Sequence, residues 1–477
     1  MLWTDADLEK ALGLKTPCDS FGAHGVSIDT RTLHKHDLFI ALKGPVSDGH
    51  THLEEARRKG AAAALVSHFV EGVDIPQCVV PDTFEALTQL AHFARQRAQA
   101  QVSAVTGSFG KTGSKEALKD LLARQGATTA SHSSFNNHWG VPLSLARLRP
   151  QDAYGIFEVG MNHPGEIAPL AKLVRPHAAL ITTVDAMHMA HMGSVCTVAL
   201  EKASIFEGVE PGGFAILNQD NPYYEDMACV AKEQDLEILS FGTHPEAFSR
   251  LTVSRLTETG LEIEARIGKT KCFFHVPVFQ THWAMNALGV LTTIHALGAD
   301  VTQAARDFET FVLPQGRGHQ TKVHLPDGGY FTVIDESYNA GPASMRAALE
   351  TLGVMKPGAC GKRIAVLAEM LELGDQSEEE HRALLPLLEK AGVTRVFTLG
   401  VATEPLASAL PSSMAAYHGH GNEDLEALTK AVLAEVSSGD VIMLKGSRGQ
   451  RAYRGRLSYV VDALLGLDPS HAPGKAM

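Results

Sequence analysis

Short apolar runs and amphipathic stretches take turns along this chain, and their order sets out its organisation. Asp37-Leu38-Phe39-Ile40-Ala41-Leu42 reads as a strand ended by Lys43-Gly44, and a helix opening at Leu53-Glu54-Glu55-Ala56-Arg57 stops near Gly60. Gln77-Cys78-Val79-Val80 is another short strand, followed by a helix over roughly 84–99. Apolar runs then recur at Val102–Val105, Tyr154–Val159 and Ala178–Thr183, separated by helical spacing. Apolar strands alternating with helices predict a mostly parallel sheet. From Leu251 to Val278 the rhythm is strict alternation, with a Thr259-Gly260 turn, which predicts an antiparallel hairpin on the edge of that sheet. A helix follows from Trp283 to Leu297.

After Leu313-Pro314-Gln315-Gly316 the pattern restarts. Strands at 331–335, 363–367, 395–399 and 440–444 alternate with helices at 344–353, 378–391 and 423–437, a second nucleotide-fold-like unit. The fold class is therefore α/β in three domains: residues 1–83, a small α/β unit; 84–313, a central mostly parallel sheet; and 314–467, a Rossmann-like unit. Residues 468–477 read as a disordered tail. The Pro and Gly of the 313–316 segment suit a bendable joint.

A length of 477 residues agrees with roughly three domains. The net charge of -12 argues against a nucleic-acid binder, although a local basic pocket can still hold an anionic nucleotide. The six cysteines are scattered without zinc-ligand spacing, which suits a reducing cytoplasm. The opening Met1-Leu2-Trp3-Thr4-Asp5-Ala6-Asp7 has no signal-peptide pattern, and no apolar run is long enough for membrane insertion.

The candidate chemistry starts at Thr106-Gly107-Ser108-Phe109-Gly110-Lys111-Thr112, which follows an apolar strand and precedes a helix. That is the context of a phosphate-binding loop, in which glycines let backbone N–H groups turn onto phosphate oxygens and the helix N-terminus adds its dipole. Lys111 would reach the terminal phosphates of ATP and the Thr112 hydroxyl would hold Mg²⁺. The spacing is shorter than the widespread G-x-x-x-x-G-K-[ST], and read alone it also fits a structural turn containing a lysine.

The loop resembles the T-G-S-x-G-K-T of the Mur ligases and their folylpolyglutamate synthetase relatives, and other segments follow in family order. Asp29-Thr30-Arg31, Lys43-Gly44 and Asp48-Gly49-His50 resemble the domain that holds the UDP end of the substrate. Asn136-Asn137, Glu158-Val159-Gly160-Met161-Asn162 and Asp335-Glu336-Ser337-Tyr338-Asn339-Ala340-Gly341-Pro342 resemble the dipeptide-adding branch. Met370-Leu371-Glu372-Leu373-Gly374 with His381, and Lys445-Gly446-Ser447-Arg448, complete a set running from about residue 27 to 448. Four places depart from the pattern: Gly113 stands for a polar residue, Ala203-Ser204 for Gly-Glu, Trp283 for Asn, and Ala368-Glu369 for Gly-Asp, while Asn286 is kept.

The resemblance implies an ATP-dependent amide ligase that joins D-alanyl-D-alanine to a UDP-muramoyl tripeptide through an acyl phosphate, a requirement for two Mg²⁺ ions, and a monomeric chain. By residue, it implies ATP contacts at Gly107, Ser108, Phe109, Gly110, Lys111, Thr112, Gly113, Asn286, Arg317 and Asp335. Thr112 and Glu158 would hold one Mg²⁺; His188 and a carbamylated Lys202 would serve a second and, with Lys111, the catalysis. Substrate contacts would come from Asp29, Thr30, Arg31, Lys43, Gly44, Asp48, Gly49, His50, Asn136, Asn137, Tyr338, Asn339, Lys445, Ser447 and Arg448. In isolation Glu158 reads equally as a salt-bridged strand-end carboxylate, and His188, among Met187, Met189 and Met192, sooner as a loop histidine. Three rivals stand beside this reading: a single-amino-acid-adding Mur ligase, a glutamate-adding folate ligase, and a non-catalytic nucleotide-binding partner of cell-wall assembly.

Overall fold

A computed structural model describes residues 1–13, 21–44, 47–187, 189–326, 328–447 and 456–471. Three α/β units follow one another. In the first, Gly25–Ser27, Asp37–Ile40, Ala63–Val66 and Gln77–Val79 form a four-stranded parallel sheet. Asp37–Ile40 and Ala63–Val66 are buried at every position, as strands covered on both faces must be. The helix Thr83–Arg97 leaves this unit with Asp82 capping the N–H groups of Phe84 and Glu85 at 2.7 and 3.0 Å. Its apolar residues pack both on this sheet and on the next unit.

The central unit is a nine-stranded sheet. Gln101–Thr106 lies between Ala178–Ile181 and Tyr154–Glu158, parallel to both. Parallel neighbours place their C-terminal ends on one side of a sheet, where α/β folds build ligand sites. Thr106 and Glu158 thus end side by side. Beyond Glu237–Gly242 the sheet continues as Ser249–Leu256, Leu261–Ile267 and Thr270–Val276. The expected hairpin is therefore a three-stranded antiparallel meander, its second turn at Gly268, where φ is +55°.

The third unit is a six-stranded sheet, parallel except at its edge, where His319–His324 runs antiparallel to Tyr330–Glu336. That edge strand and Ala415–Gly419 add to the four strands expected. The helix expected over 378–391 is two, Ser377–Arg382 and Leu384–Lys390, since Pro386 has no N–H to continue the ladder. The segment expected as a tail begins with Asp468 accepting from the His324 N–H at 2.9 Å and a turn over Pro469–His471; residues 472–477 lie outside the described residues. Among the described residues no helix is long and apolar enough to cross a membrane.

Candidate functional site

The loop between Thr106 and Lys111 is shaped by two glycines. Gly107 has φ of +148°, and a Cβ there would fall 2.0 Å from Thr182 Oγ1. Gly110, at φ +80°, is the cap of the helix Lys111–Ala123, so a side chain at either place would strain the turn. The Ser108 N–H donates to Thr183 O at 2.8 Å, and the Ser108 hydroxyl donates to Asp185 O at 3.0 Å, which pins the loop to the neighbouring strand end. Lys111 Nζ donates to Gly107 O at 2.5 Å. Burial within the loop lowers the Lys111 ammonium to about 8; nearby Glu158 opposes that fall and Arg317 adds to it.

Glu158 is buried at the end of its strand and both its oxygens are engaged. Thr112 Oγ1 donates to Oε2 at 2.8 Å, and Asn136 Nδ2 donates to Oε1 at 2.7 Å. A hydroxyl and a carboxylate oxygen side by side at a helix N-terminus are the hard donors that Mg²⁺ takes. The residues present thus fit one such ion at Thr112 and Glu158. Among the described residues no group of three or more His, Cys, Asp or Glu side chains could hold a metal.

The third unit reaches over this loop. Arg317 Nη2 donates to Thr112 Oγ1 at 2.9 Å, and its guanidinium lies 3.8 Å from the centroid of the Tyr338 ring. The Tyr338 hydroxyl is hydrogen-bonded to Ser134. Lys445 Nζ, almost fully buried, donates to Glu336 Oε2 at 3.2 Å and to Asn339 O at 3.1 Å. A cavity of about 650 Å³ lies between the units, and Lys111, Glu158, Asn286, Arg317, Tyr338 and Lys445 are among the residues on its wall.

Ser108, Phe109, Gly110, Thr112, Gly113, Asn136, Asn137 and Asn339 share that wall, and Gly107 lies directly before it. Other expected residues stand apart from it. Asp335 is buried beneath the joint, accepting from Gly316 N at 2.8 Å and Ser337 Oγ at 2.6 Å. Ser447 is tied to Glu369 O and Ala340 O at 2.9 and 3.2 Å. Lys202 is buried near the end of the helix Val195–Ala203, and burial, with the Lys111 charge next, pushes its ammonium well below the ordinary lysine range. His188 and Arg448 lie outside the described residues.

The N-terminal candidates form their own cluster. Asp29 pairs with Arg31 at 2.6 Å, and Thr30 Oγ1 donates to Glu55 at 2.9 Å. The backbones of Lys43 and Asp48 form an isolated antiparallel β-bridge, and the Gly44 N–H donates to Ser47 O at 2.8 Å. A Cβ on Gly49 would meet Ala41 Cα at 2.8 Å, so that turn needs glycine. His50 Nε2 accepts from Ser67 N at 2.9 Å, which leaves the Nδ1 proton to point at Asp48 Oδ1, 2.6 Å away. The His50 backbone N–H and then its ring hold the Asp48 carboxyl below the ordinary aspartate range. Gly44 packs on Trp139, in the segment that carries Asn136 to Glu158.

Sequence reasoning passed over Glu336, Ser134 and Lys115. Glu336 sits next to the chosen Asp335, and Ser134 shortly before Asn136. Lys115, fully buried on the phosphate-loop helix, donates to Ser131 O at 2.8 Å, and Ser131 Oγ accepts the Glu158 N–H at 3.1 Å. A helical register counted from Thr112 would have flagged it, since residues three apart share a face.

Known proteins share this arrangement. Residues 105–294 match the Mur ligase middle domain, 322–448 the Mur ligase, glutamate ligase domain, and 22–95 the Mur ligase family, catalytic domain. A UDP-N-acetylmuramoyl-tripeptide--D-alanyl-D-alanine ligase of Rickettsia prowazekii is 33% identical over 451 residues, covering 94% of this chain and 98% of its own. The protein of the same name in Escherichia coli is 33% identical over 423 residues, covering 89% and 90%. A crystal structure of MurF from Acinetobacter baumannii has a TM-score of 0.81 at 28% identity, covering 97% of this chain and 98% of that one.

Proposed function

The chain belongs to the Mur ligase family, and from that membership we propose how its residues divide the work of one reaction. It is an ATP-dependent ligase that adds D-alanyl-D-alanine to UDP-N-acetylmuramoyl-tripeptide in the synthesis of the peptidoglycan precursor. The observation that carries this is the full-length likeness to relatives of that name, 33% identical over 94% of the chain. It also decides against the single-amino-acid, folate and non-catalytic alternatives.

A carboxylate does not condense with an amine in water, because oxide is too poor a leaving group. A carboxylate oxygen of the tripeptide attacks the γ-phosphorus, the bond to the β-phosphate oxygen breaks, and ADP leaves. The amine of D-alanyl-D-alanine then attacks the acyl carbon, loses its proton, and phosphate departs from the tetrahedral intermediate. The protein must position the reactants, offset phosphate charge and exclude water. The backbone N–H groups of 109–112 and Lys111 bind the phosphates. Arg317, already at Thr112, adds a second cation from the opposite unit. Mg²⁺ held by Thr112 and Glu158 would supply further neutralisation of the β- and γ-phosphates. Tyr338 and Asn339 face the same cavity, where they are placed to orient the acceptor. Closure of the 314–467 unit about the joint at 313–316 would keep the acyl phosphate from water.

We assign the Asp29–Arg31 and Lys43–His50 cluster to the UDP end of the substrate, and Lys202 to carbamylation near a second ion with His188. The domain boundaries follow the same division of labour: 1–83 for the UDP end, 84–313 for ATP and 314–467 for closure. A monomer in a reducing cytoplasm suits a reaction whose parts all lie in one chain.

The acceptor is the direct test. With ATP, Mg²⁺ and UDP-N-acetylmuramoyl-tripeptide present, D-alanyl-D-alanine should stimulate phosphate release far more than glutamate, lysine or diaminopimelate. Preferred use of one of those single amino acids, with its matching precursor, would overturn the assignment.

A further inference from the structure

Lys115 is fully buried in the helix Lys111–Ala123, one turn on from Thr112, and no step of the ligation draws on it. A buried ammonium is a costly way to fill space, and a methionine side chain of similar length would pack there at less cost. What the ammonium adds is hydrogen-bond donors. Its charge is offset by Glu116, which also meets Lys119 at 3.6 Å, and Nζ donates to Ser131 O at 2.8 Å.

Ser131 directly follows the strand Thr128–Ala130, at the edge of the central sheet, and is 2% exposed. Its N–H continues the ladder to Ile156 O at 2.9 Å. There the edge strand stops, while Tyr154–Glu158 runs on. The Glu158 N–H therefore meets no strand on that side, and the Ser131 hydroxyl accepts it at 3.1 Å. One residue thus takes the Lys115 ammonium on its carbonyl and the Glu158 backbone on its side chain.

Thr112 and Glu158 lie on separate elements, a helix and a strand, and their side chains meet through a hydrogen bond of 2.8 Å. An ion taken by both oxygens draws on the same lone pairs, so their separation must be held from further back. Mg²⁺ demands near-ideal octahedral geometry, whereas Ca²⁺ accepts a looser arrangement. We propose that Lys115 is a positioning residue for the Mg²⁺ site. Through Ser131 it clamps the phosphate-loop helix to the end of the Glu158 strand, and so sets the spacing of the two ligands. This inference rests on the reading of Thr112 and Glu158 as Mg²⁺ ligands, and goes beyond it by naming what fixes their distance.

The test is calorimetric binding of an ATP analogue with nitrogen between the β- and γ-phosphorus. It is run on the full chain without divalent metal, with saturating Mg²⁺ and with saturating Ca²⁺. In the unsubstituted chain Mg²⁺ should strengthen binding. Lys115→Met should remove roughly tenfold of that gain, the scale on which a partner one step behind a metal ligand acts. The metal-free affinity should hold, and the gain with Ca²⁺ should fall by no more than about threefold, since its geometry is less exacting. Ser131→Ala should repeat the Mg²⁺ loss, and the double variant should lose little more than either alone, because both act on one path. If Lys115→Met does not fold, Ser131→Ala, which removes a single oxygen, carries the comparison of the two ions by itself.

An unchanged Mg²⁺ gain in Lys115→Met, or equal losses with Mg²⁺ and Ca²⁺, would assign the lysine to packing and overturn the clamp, with the metal site left standing. A metal-free affinity that falls as far as the Mg²⁺-bound one would do the same. Additive losses in the double variant would overturn the path through Ser131. Should the unsubstituted chain bind the analogue with no gain from Mg²⁺, Thr112 and Glu158 are not its ligands and the clamp falls with them.

Discussion

Lys111→Ala should lower the ligation rate by on the order of 10³-fold or more, the range over which a cation stabilises a transferring phosphoryl group. The expectation comes from position. Lys111 is the first residue of the helix that follows the loop, and its ammonium lies on Gly107 O, inside the turn that would receive the phosphates. The fold should persist, because the side chain serves the loop and belongs to none of the apolar clusters. Steady-state kinetics and thermal unfolding on one preparation check both parts. Near-normal ligation by Lys111→Ala would refute the phosphate loop.

A pH dependence accompanies this prediction. The Lys111 ammonium titrates at about 8 in the nucleotide-free protein, because burial disfavours its charge. Bound phosphate anions favour the protonated form and raise that value. Below pH 8 the group is mostly charged in both states, so ADP affinity should be nearly level. Above pH 8 the free protein loses its proton first, so binding takes one up and affinity falls as pH rises. Calorimetry of ADP without divalent metal, in buffers of different ionisation enthalpy, should show that uptake in the unsubstituted chain and not in Lys111→Ala.

The sequence conveyed the sheets better than their edges. Ala178–Ile181 is apolar at every position because both faces are covered, and such runs are conspicuous. His319–His324 buries only Val323 in full, so its pattern is that of a loop. At the site, the loop and Glu158 were legible because their chemistry is tied to fixed places in a strand-loop-helix unit. Asp335 and Glu336 were harder to separate. Neighbours in a strand point to opposite faces, and the structure buries Asp335 under the joint while Glu336 faces the cavity with Lys445. Gly113 and Trp283 appear in the sequence as two unrelated departures from the family pattern. Their contact exists only in the folded chain, where one is the space for the other.

Lys202→Ala should nearly abolish ligation, and acetate or formate should restore part of it. The side chain is 2% exposed, and a bare ammonium in such a place carries a desolvation cost that few sites offset. Burial therefore favours the neutral amine, and the Lys111 charge adds to that preference. A neutral amine is the form that attacks CO₂: a nitrogen–carbon bond forms, one proton is released, and the side chain becomes an anion with two oxygens. An ammonium beside a second Mg²⁺ would repel it, whereas oxygen anions are the ligands that ion prefers. The carboxylate of adjacent Glu201 holds the Gly165 and Ile167 N–H groups at 2.8 and 3.0 Å. Ala203 and Ser204 follow Lys202 directly, and the Ser204 hydroxyl donates to Glu201 O at 2.7 Å, so these two close the helix and would bring no charge to such an ion. A small carboxylate entering the space left by Lys202→Ala would return the missing oxygens without the tether. Enrichment with ¹³CO₂ gives a readout independent of activity, a carbamate carbon resonance present in the unsubstituted chain and lost in the variant. Full activity of Lys202→Ala would remove any role for the carbamate. A loss that no small carboxylate reverses, with no such resonance in the unsubstituted chain, would assign Lys202 to packing alone.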